Sequence, residues 1–239
     1  MYYLVSESAI TKRHPPFLLH KEALPVMAIR NTQADAVLRF WFDETTPKQW
    51  FVKDAEFDRT IVKRFRPLVE EAVVGGLDGW QANPETNLAL ILLLDQMPRN
   101  IWRGTKESFM GDAKALALCQ KGCDRGDAEV LLAEGKRLVD AAKKLKPKPK
   151  ADDDEAVFSP EQTRVTFLLM PMMHSEDLAV QEASLPLFKQ YTSQNTYDYA
   201  VRHRDIIARF GRFPHRNALL GRESTPEEVQ FLTEPNSSF

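Results

Sequence analysis

Four places in this chain put Ser, Thr or Asn directly before Pro: Thr46-Pro47, Asn83-Pro84, Ser159-Pro160 and Thr225-Pro226. The first residue of each pair offers a side-chain oxygen to the free amides of a helix start. The second suits the first helical position, where a missing N–H is no loss. In Thr46-Pro47-Lys48-Gln49, Ser159-Pro160-Glu161-Gln162 and Thr225-Pro226-Glu227-Glu228 the third residue on completes a capping box. Helix starts of this quality, with no comparable strand signal, point to an all-α fold.

Helical periodicity fills the intervals. Phe57, Ile61, Phe65, Leu68 and Ala72 recur every three or four residues, with Pro67 as a kink or break and Gly75-Gly76 as a stop. About nine helices are expected, near residues 33–42, 54–74, 84–96, 106–121, 127–145, 160–170, 176–191, 196–210 and 226–233. Residues 88–94 are apolar on every side, which a surface helix could not sustain, so the helix after Asn83-Pro84 belongs at the buried centre. Residues 31–239 read as a single helical domain behind a flexible extension, 1–30. A charged disordered loop at about 143–158 interrupts it, where lysines and prolines meet Asp152-Asp153-Asp154-Glu155 with almost nothing to bury.

With a formal charge of -2, the chain has no global attraction to nucleic acid or to an acidic membrane, so any anion binding must be local. No apolar run approaches the ~20 residues of a membrane span. Cys119 and Cys123, four apart on a helix, suit a reduced, cytoplasmic protein, and as zinc ligands they lack two nearby companions. Lys12, Arg13, Lys21 and Arg30 leave a mitochondrial presequence as the alternative, opposed by Glu7 and Glu22. There is no phosphate-binding Gly-rich loop, dinucleotide fingerprint or nucleophile elbow, and neither a cofactor nor a metal is expected.

The unusual chemistry lies in two similar junctions. One contains Asp95, Gln96, Pro98, Arg99, Asn100, Arg103 and Gly104; the other contains Pro214, His215, Arg216, Asn217, Gly221 and Arg222. Asp95 follows the most apolar stretch of the chain, where desolvation and the helix dipole disfavour its charge. Arg99 and Arg103, brought near by a turn at Pro98, are its expected partners. Arg202, Arg204, Arg209, Arg212, Arg216 and Arg222 crowd the second junction without a lysine, which suggests planar contacts to particular carboxylates or phosphates. Asp95, Glu176, Asp177 and Glu223 could supply these internally. In His174-Ser175-Glu176-Asp177, Pro171 should have closed one helix and Ser175 should cap the next, placing both acids in a first helical turn. The chemical reading makes His174 a general acid or base, with His203 or His215 nearby.

Several stretches together resemble an uncharacterised family, mostly bacterial with fungal and other eukaryotic members, known as a domain of unknown function with a tetratricopeptide-like fold. They are Val37-Leu38-Arg39-Phe40-Trp41-Phe42, the run from Leu88 through Asp95-Gln96-Met97-Pro98-Arg99-Asn100, Arg103-Gly104-Thr105, Pro171-Met172-Met173-His174-Ser175-Glu176-Asp177, and Arg209-Phe210-Gly211-Arg212-Phe213-Pro214-His215-Arg216-Asn217. The resemblance implies an array of antiparallel helix pairs and no established activity. Its shared polar residues are Asp95, Gln96, Arg99, Asn100, Arg103, His174, Glu176, His215, Arg216 and Asn217, the candidate ligand-binding set. The expected ligand is a small anionic metabolite, handled by acid–base chemistry. The alternative is a non-enzymatic adaptor whose helix array docks a partner protein.

Overall fold

A computed structural model describes residues 31–145, 159–235 and 237. They belong to the unit that begins at Asn31; the extension 1–30 and positions 146–158 of the charged segment lie outside the described residues. Among the described residues the fold is all-α, without a strand. The helices are α1 (Thr32–Arg39), α2 (Pro47–Phe51), α3 (Ala55–Val73), α4 (Pro84–Ile91), α5 (Met97–Ile101), α6 (Asp112–Arg125), α7 (Asp127–Leu145), α8 (Thr163–Met173), α9 (Leu178–Tyr191), α10 (Gln194–Phe210) and α11 (Pro226–Phe231). Short α2 and α5 are additions to those expected from periodicity.

Most of the cap signals act as their chemistry requires. Asn83 Oδ1 accepts from the Glu85 amide at 3.0 Å, Gln49 returns to the Thr46 amide at 2.9 Å, and Glu228 returns to the Thr225 amide at 2.8 Å. Ser159 is the exception. Its carbonyl accepts from the Gln162 amide and the Thr163 hydroxyl, so Pro160 opens a single turn and α8 starts at Thr163. Prolines also break fewer helices than their chemistry alone suggests. Pro67 lies inside α3, and Pro171 lies inside α8, which runs on to Met173. Packing of the surrounding apolar face outweighs a local cost of roughly 3 kcal/mol.

α4 is the central helix. Every residue from Asn87 to Pro98 is buried, and α4 packs against α1, α6, α7 and α8. Sequential partners α6 and α7, and α9 and α10, also pack together. They are joined only by Gly126 and by Thr192-Ser193 respectively, and connections that short make them antiparallel hairpins. Trp41, Phe42 and Trp50 surround Phe167 edge-on, at centroid distances of 5.6, 5.8 and 5.1 Å, so these aromatics serve the core.

Pro98 does not force a tight turn after α4. The chain stays helical from 84 to 101, and a π-helical turn (Leu92–Gln96) joins α4 to α5, with the Met97 amide donating five residues back to the Leu92 carbonyl. In a regular helix the Pro98 ring would strike the carbonyl of Leu94; the wider turn relieves that clash. Against the same backbone lies Gly111, where a Cβ would stand 2.1 Å from Leu94 O. The close approach fixes where α6 begins and so delivers Asp112 to the end of the buried helix.

Gly135 in α7 has a comparable role at the start of α8, since a Cβ there would stand 2.2 Å from Glu161 O. Alanine at a mid-helix glycine ordinarily stabilises by up to about 1 kcal/mol. Here the sign should reverse, and Gly135→Ala should lose about 1–3 kcal/mol in urea unfolding through overpacking against backbone. A neutral or stabilised variant would contradict this packing.

Candidate functional site

Asp95 has no exposed surface, and both oxygens of its carboxylate are engaged. Oδ1 lies 2.7 Å from His174 Nδ1 and accepts from Arg99 Nη2 at 3.3 Å, while Oδ2 accepts from Gln96 Nε2 at 2.5 Å. Burial pushes this carboxyl up, but the charges of His174 and Arg99, with hydrogen bonds from His174 and Gln96, outweigh it and hold the group well below the usual carboxylate range. An ionised Asp95 only accepts, so the His174 nitrogen facing it carries hydrogen, and Arg99 Nη2, 3.2 Å from that nitrogen, is a second donor to the same oxygen. The His174 side chain is 17% exposed.

Arg99 also donates to Asp112 Oδ1 at 3.0 Å, and Arg216 Nη1 donates to Asp112 Oδ2 at 3.3 Å. One carboxylate, the first residue of α6, therefore bridges two guanidinium groups. Both cations also lean on the Phe109 ring, at 5.4 and 4.8 Å, and Arg216 is 4.7 Å from the Phe213 ring. Burial raises the Asp112 carboxyl above its ordinary value; Arg99 opposes this and the charge of Asp95 adds to it. Arg216 is 7% exposed, and burial, followed by the repulsion of Arg99, lowers it to about 10. The Nε–H groups of Arg99 and Arg216 are buried and have no acceptor.

Asp95, Gln96, Arg99, His174 and Arg216 thus meet in one cluster, bordered by partly buried His215 and buried His203. The remaining candidates face elsewhere. Asn100 and Arg103 both hold Asp58 of α3, at 2.8 Å and at 2.7 and 2.8 Å, so Arg103 is no partner of Asp95. Glu176 accepts a fork from Arg222 at 2.6 and 2.9 Å and the Phe213 amide at 2.8 Å. It precedes α9, whose cap is Asp177, accepting from Ala179; Ser175 Oγ receives the Asp177 amide instead of capping the helix. Asn217 donates to Ser224 and Glu228, and Glu228 is clasped by Arg212 at 2.7 and 2.8 Å. Asp112, Phe109 and Asp58 were absent from the sequence reading, and Glu228 was read there only as a capping-box residue. The first three carry no local signature, and Asp112 lies 104 residues from Arg216. Two surface depressions, of about 360 Å³ beside Arg202, Ile206 and Phe231 and about 330 Å³ beside Phe40 and Phe57, are lined by none of the cluster residues.

His203 and His215 give the fold an acid limit. Burial pushes His203 down to about 3, aided by the charges of His174 and Arg216, although its bond to the Tyr199 carbonyl opposes this. Burial and Arg216 push His215 down to about 4. The unfolded chain takes up protons at both below about pH 6.5 and the folded chain does not, so stability is lost as pH falls from there toward 4. With two protons involved, the slope should reach at most about 2.7 kcal/mol per pH unit. Urea midpoints between pH 7 and 5 should fall accordingly, and His203→Gln should flatten the trend; constant midpoints would refute it.

A family model described as a bacterial protein of unknown function, DUF924, matches residues 37–236. No curated protein matches the chain. A solved structure of a protein of unknown function from Agrobacterium tumefaciens is 35% identical, with a TM-score of 0.68, over 85% of this chain and 98% of that one. The likeness extends through both arginine junctions and the His174 segment, and on it the chain belongs to the DUF924 family of bacterial proteins of unknown function.

Proposed function

We propose that the chain binds a small anionic metabolite at the Arg99–Asp112–Arg216 bridge and moves a proton on it through Nε2 of His174. The observation that carries this reading is the incomplete pairing of buried Arg216, next to partly buried Arg99 and beside an oriented histidine. Arg216 has one ion-pair partner at 3.3 Å, which it shares with Arg99, and a buried Nε–H without an acceptor. Buried charges are normally paired and hydrogen-bonded throughout, so an underpaired cation is kept against a folding cost. A partner protein docking on helix faces would have no use for cations at this depth.

The chemistry follows from the Asp95–His174 contact. Asp95 fixes the ring and its tautomer and stabilises the imidazolium that forms when Nε2 takes a proton from the bound molecule; the same nitrogen then returns it. Arg99 ties this acid–base pair to the anion, because one guanidinium touches Asp95, Asp112 and the His174 ring edge. A positioned histidine contributes about 10²–10⁴ in rate.

A thermal-shift screen of small phosphorylated and carboxylated metabolites should give hits, and His174→Gln should keep the shift while turnover of the hit falls about 10²–10⁴-fold. Turnover indifferent to that change would sink the acid–base role. Arg216→Met keeps the apolar stem between Phe109 and Phe213 and removes the underpaired charge. It should leave stability unchanged or raise it by about 1–2 kcal/mol while abolishing the shift. A loss of about 3–5 kcal/mol would mark Arg216 as structural.

A further inference from the structure

We infer that the group held between Arg99 and Arg216 is a phosphoryl group, for which the Asp112 carboxylate is an internal stand-in. The inference rests on the anion reading above and names its ligand class. Asp112 gives one oxygen to each guanidinium, at 3.0 and 3.3 Å, and so satisfies one Nη–H on each side. It leaves Arg99 Nε and Arg216 Nε, both buried, without acceptors. A ligand carboxylate in its place would offer the same two oxygens and leave the same two donors unmet. A tetrahedral oxyanion with three terminal oxygens can take the Nε and Nη edge of each guanidinium together, the forked geometry in which arginine binds phosphate.

The backbone contributes independently. α6 runs for 14 residues from Asp112, and its cap is Gly111, which has no side chain to cover the first-turn amides. Those amides and the positive end of the helix dipole favour a phosphate where a side-chain cap would otherwise compete. Gly111 cannot be replaced by a capping Ser or Asp, because a Cβ there would strike Leu94 O at 2.1 Å. The Asp112 side chain is 20% exposed, so it has an outward path when an anion of higher charge takes its place. Among the described residues, the side-chain hydrogen bonds that hold Asp112 inward are those from the two arginines.

The proposal turns on competition between Asp112 and added phosphate. Calorimetric titration of the full chain with inorganic phosphate, with malonate at matched ionic strength as the carboxylate control, should show saturable binding of phosphate and none of malonate. Asp112→Asn removes the competitor and should tighten phosphate about tenfold, and phosphate should restore the thermal stability that this variant loses. Arg216→Lys keeps the charge without the fork and should weaken phosphate about tenfold. Binding of malonate without phosphate would overturn the phosphoryl assignment and leave the anion reading standing, whereas silence from both would overturn both. Phosphate binding equal in all three proteins would place it elsewhere on the surface and overturn the assignment.

Discussion

A carboxylate with no exposed surface, at the end of an entirely buried helical stretch, sets the terms for the rest of this fold. Moving such a charge out of water costs several kcal/mol even after relaxation, and the cost is offset only if both oxygens are hydrogen-bonded, with charged donors among the partners. Asp95 meets that demand with groups from separate parts of the chain: Gln96 beside it, Arg99 one turn on, and His174 from the end of α8. Each donor is then fixed in turn. The buried charge therefore locks the α4–α5 stretch to the segment between α8 and α9, and the lock leaves His174 in a single tautomer.

The π-helical turn belongs to the same constraint. Pro98 cannot donate to the Leu94 carbonyl and would collide with it in a regular helix, and the wider turn removes the collision while keeping the chain helical. Asp95 lies inside this turn, with Arg99 following in α5 at the spacing of a helical neighbour. Gly111 then closes on Leu94 from the other side. Sequence, backbone irregularity and site are thus one causal series: a proline widens a turn, a glycine fits against it, and Asp112 arrives within reach of Arg99.

Much of this was legible beforehand, for local reasons. A side-chain oxygen before proline acts on the next few amides, so the starts at Asn83 and Thr225 could be read directly. An unbroken apolar run places its helix at the centre whatever the neighbours are. The need of Asp95 for Arg99 also follows from adjacent residues. Pro67 and Pro171 could not be read this way, because tertiary packing outweighs the local cost of a proline and the sequence shows only the cost. Ser159 has every local feature of a cap, and the chain turns once more before α8 begins. Asp112 was beyond reach for another reason: its two arginines lie 13 and 104 residues away, and nothing in Gly111-Asp112 distinguishes it from an ordinary helix start.

The two similar junctions acquire different duties, and the contrast explains why both are arginine-rich. Arg103 and Arg222, which trail each junction, bind Asp58 and Glu176 in forks, and Asn100 and Asn217 hold neighbouring carboxylates; these groups pin a helix start and a C-terminal segment to the body. The leading arginines, Arg99 and Arg216, converge on Asp112, and of the two only Arg99 also holds a second carboxylate, Asp95. Two guanidiniums facing one carboxylate repel each other, and this repulsion adds to the burial that lowers Arg216. A stack stabilised only for its own sake would gain by replacing one of them with an apolar side chain. Arg216 is thus set apart from the forked pairs: buried, with one shared carboxylate and an Nε–H that has no acceptor.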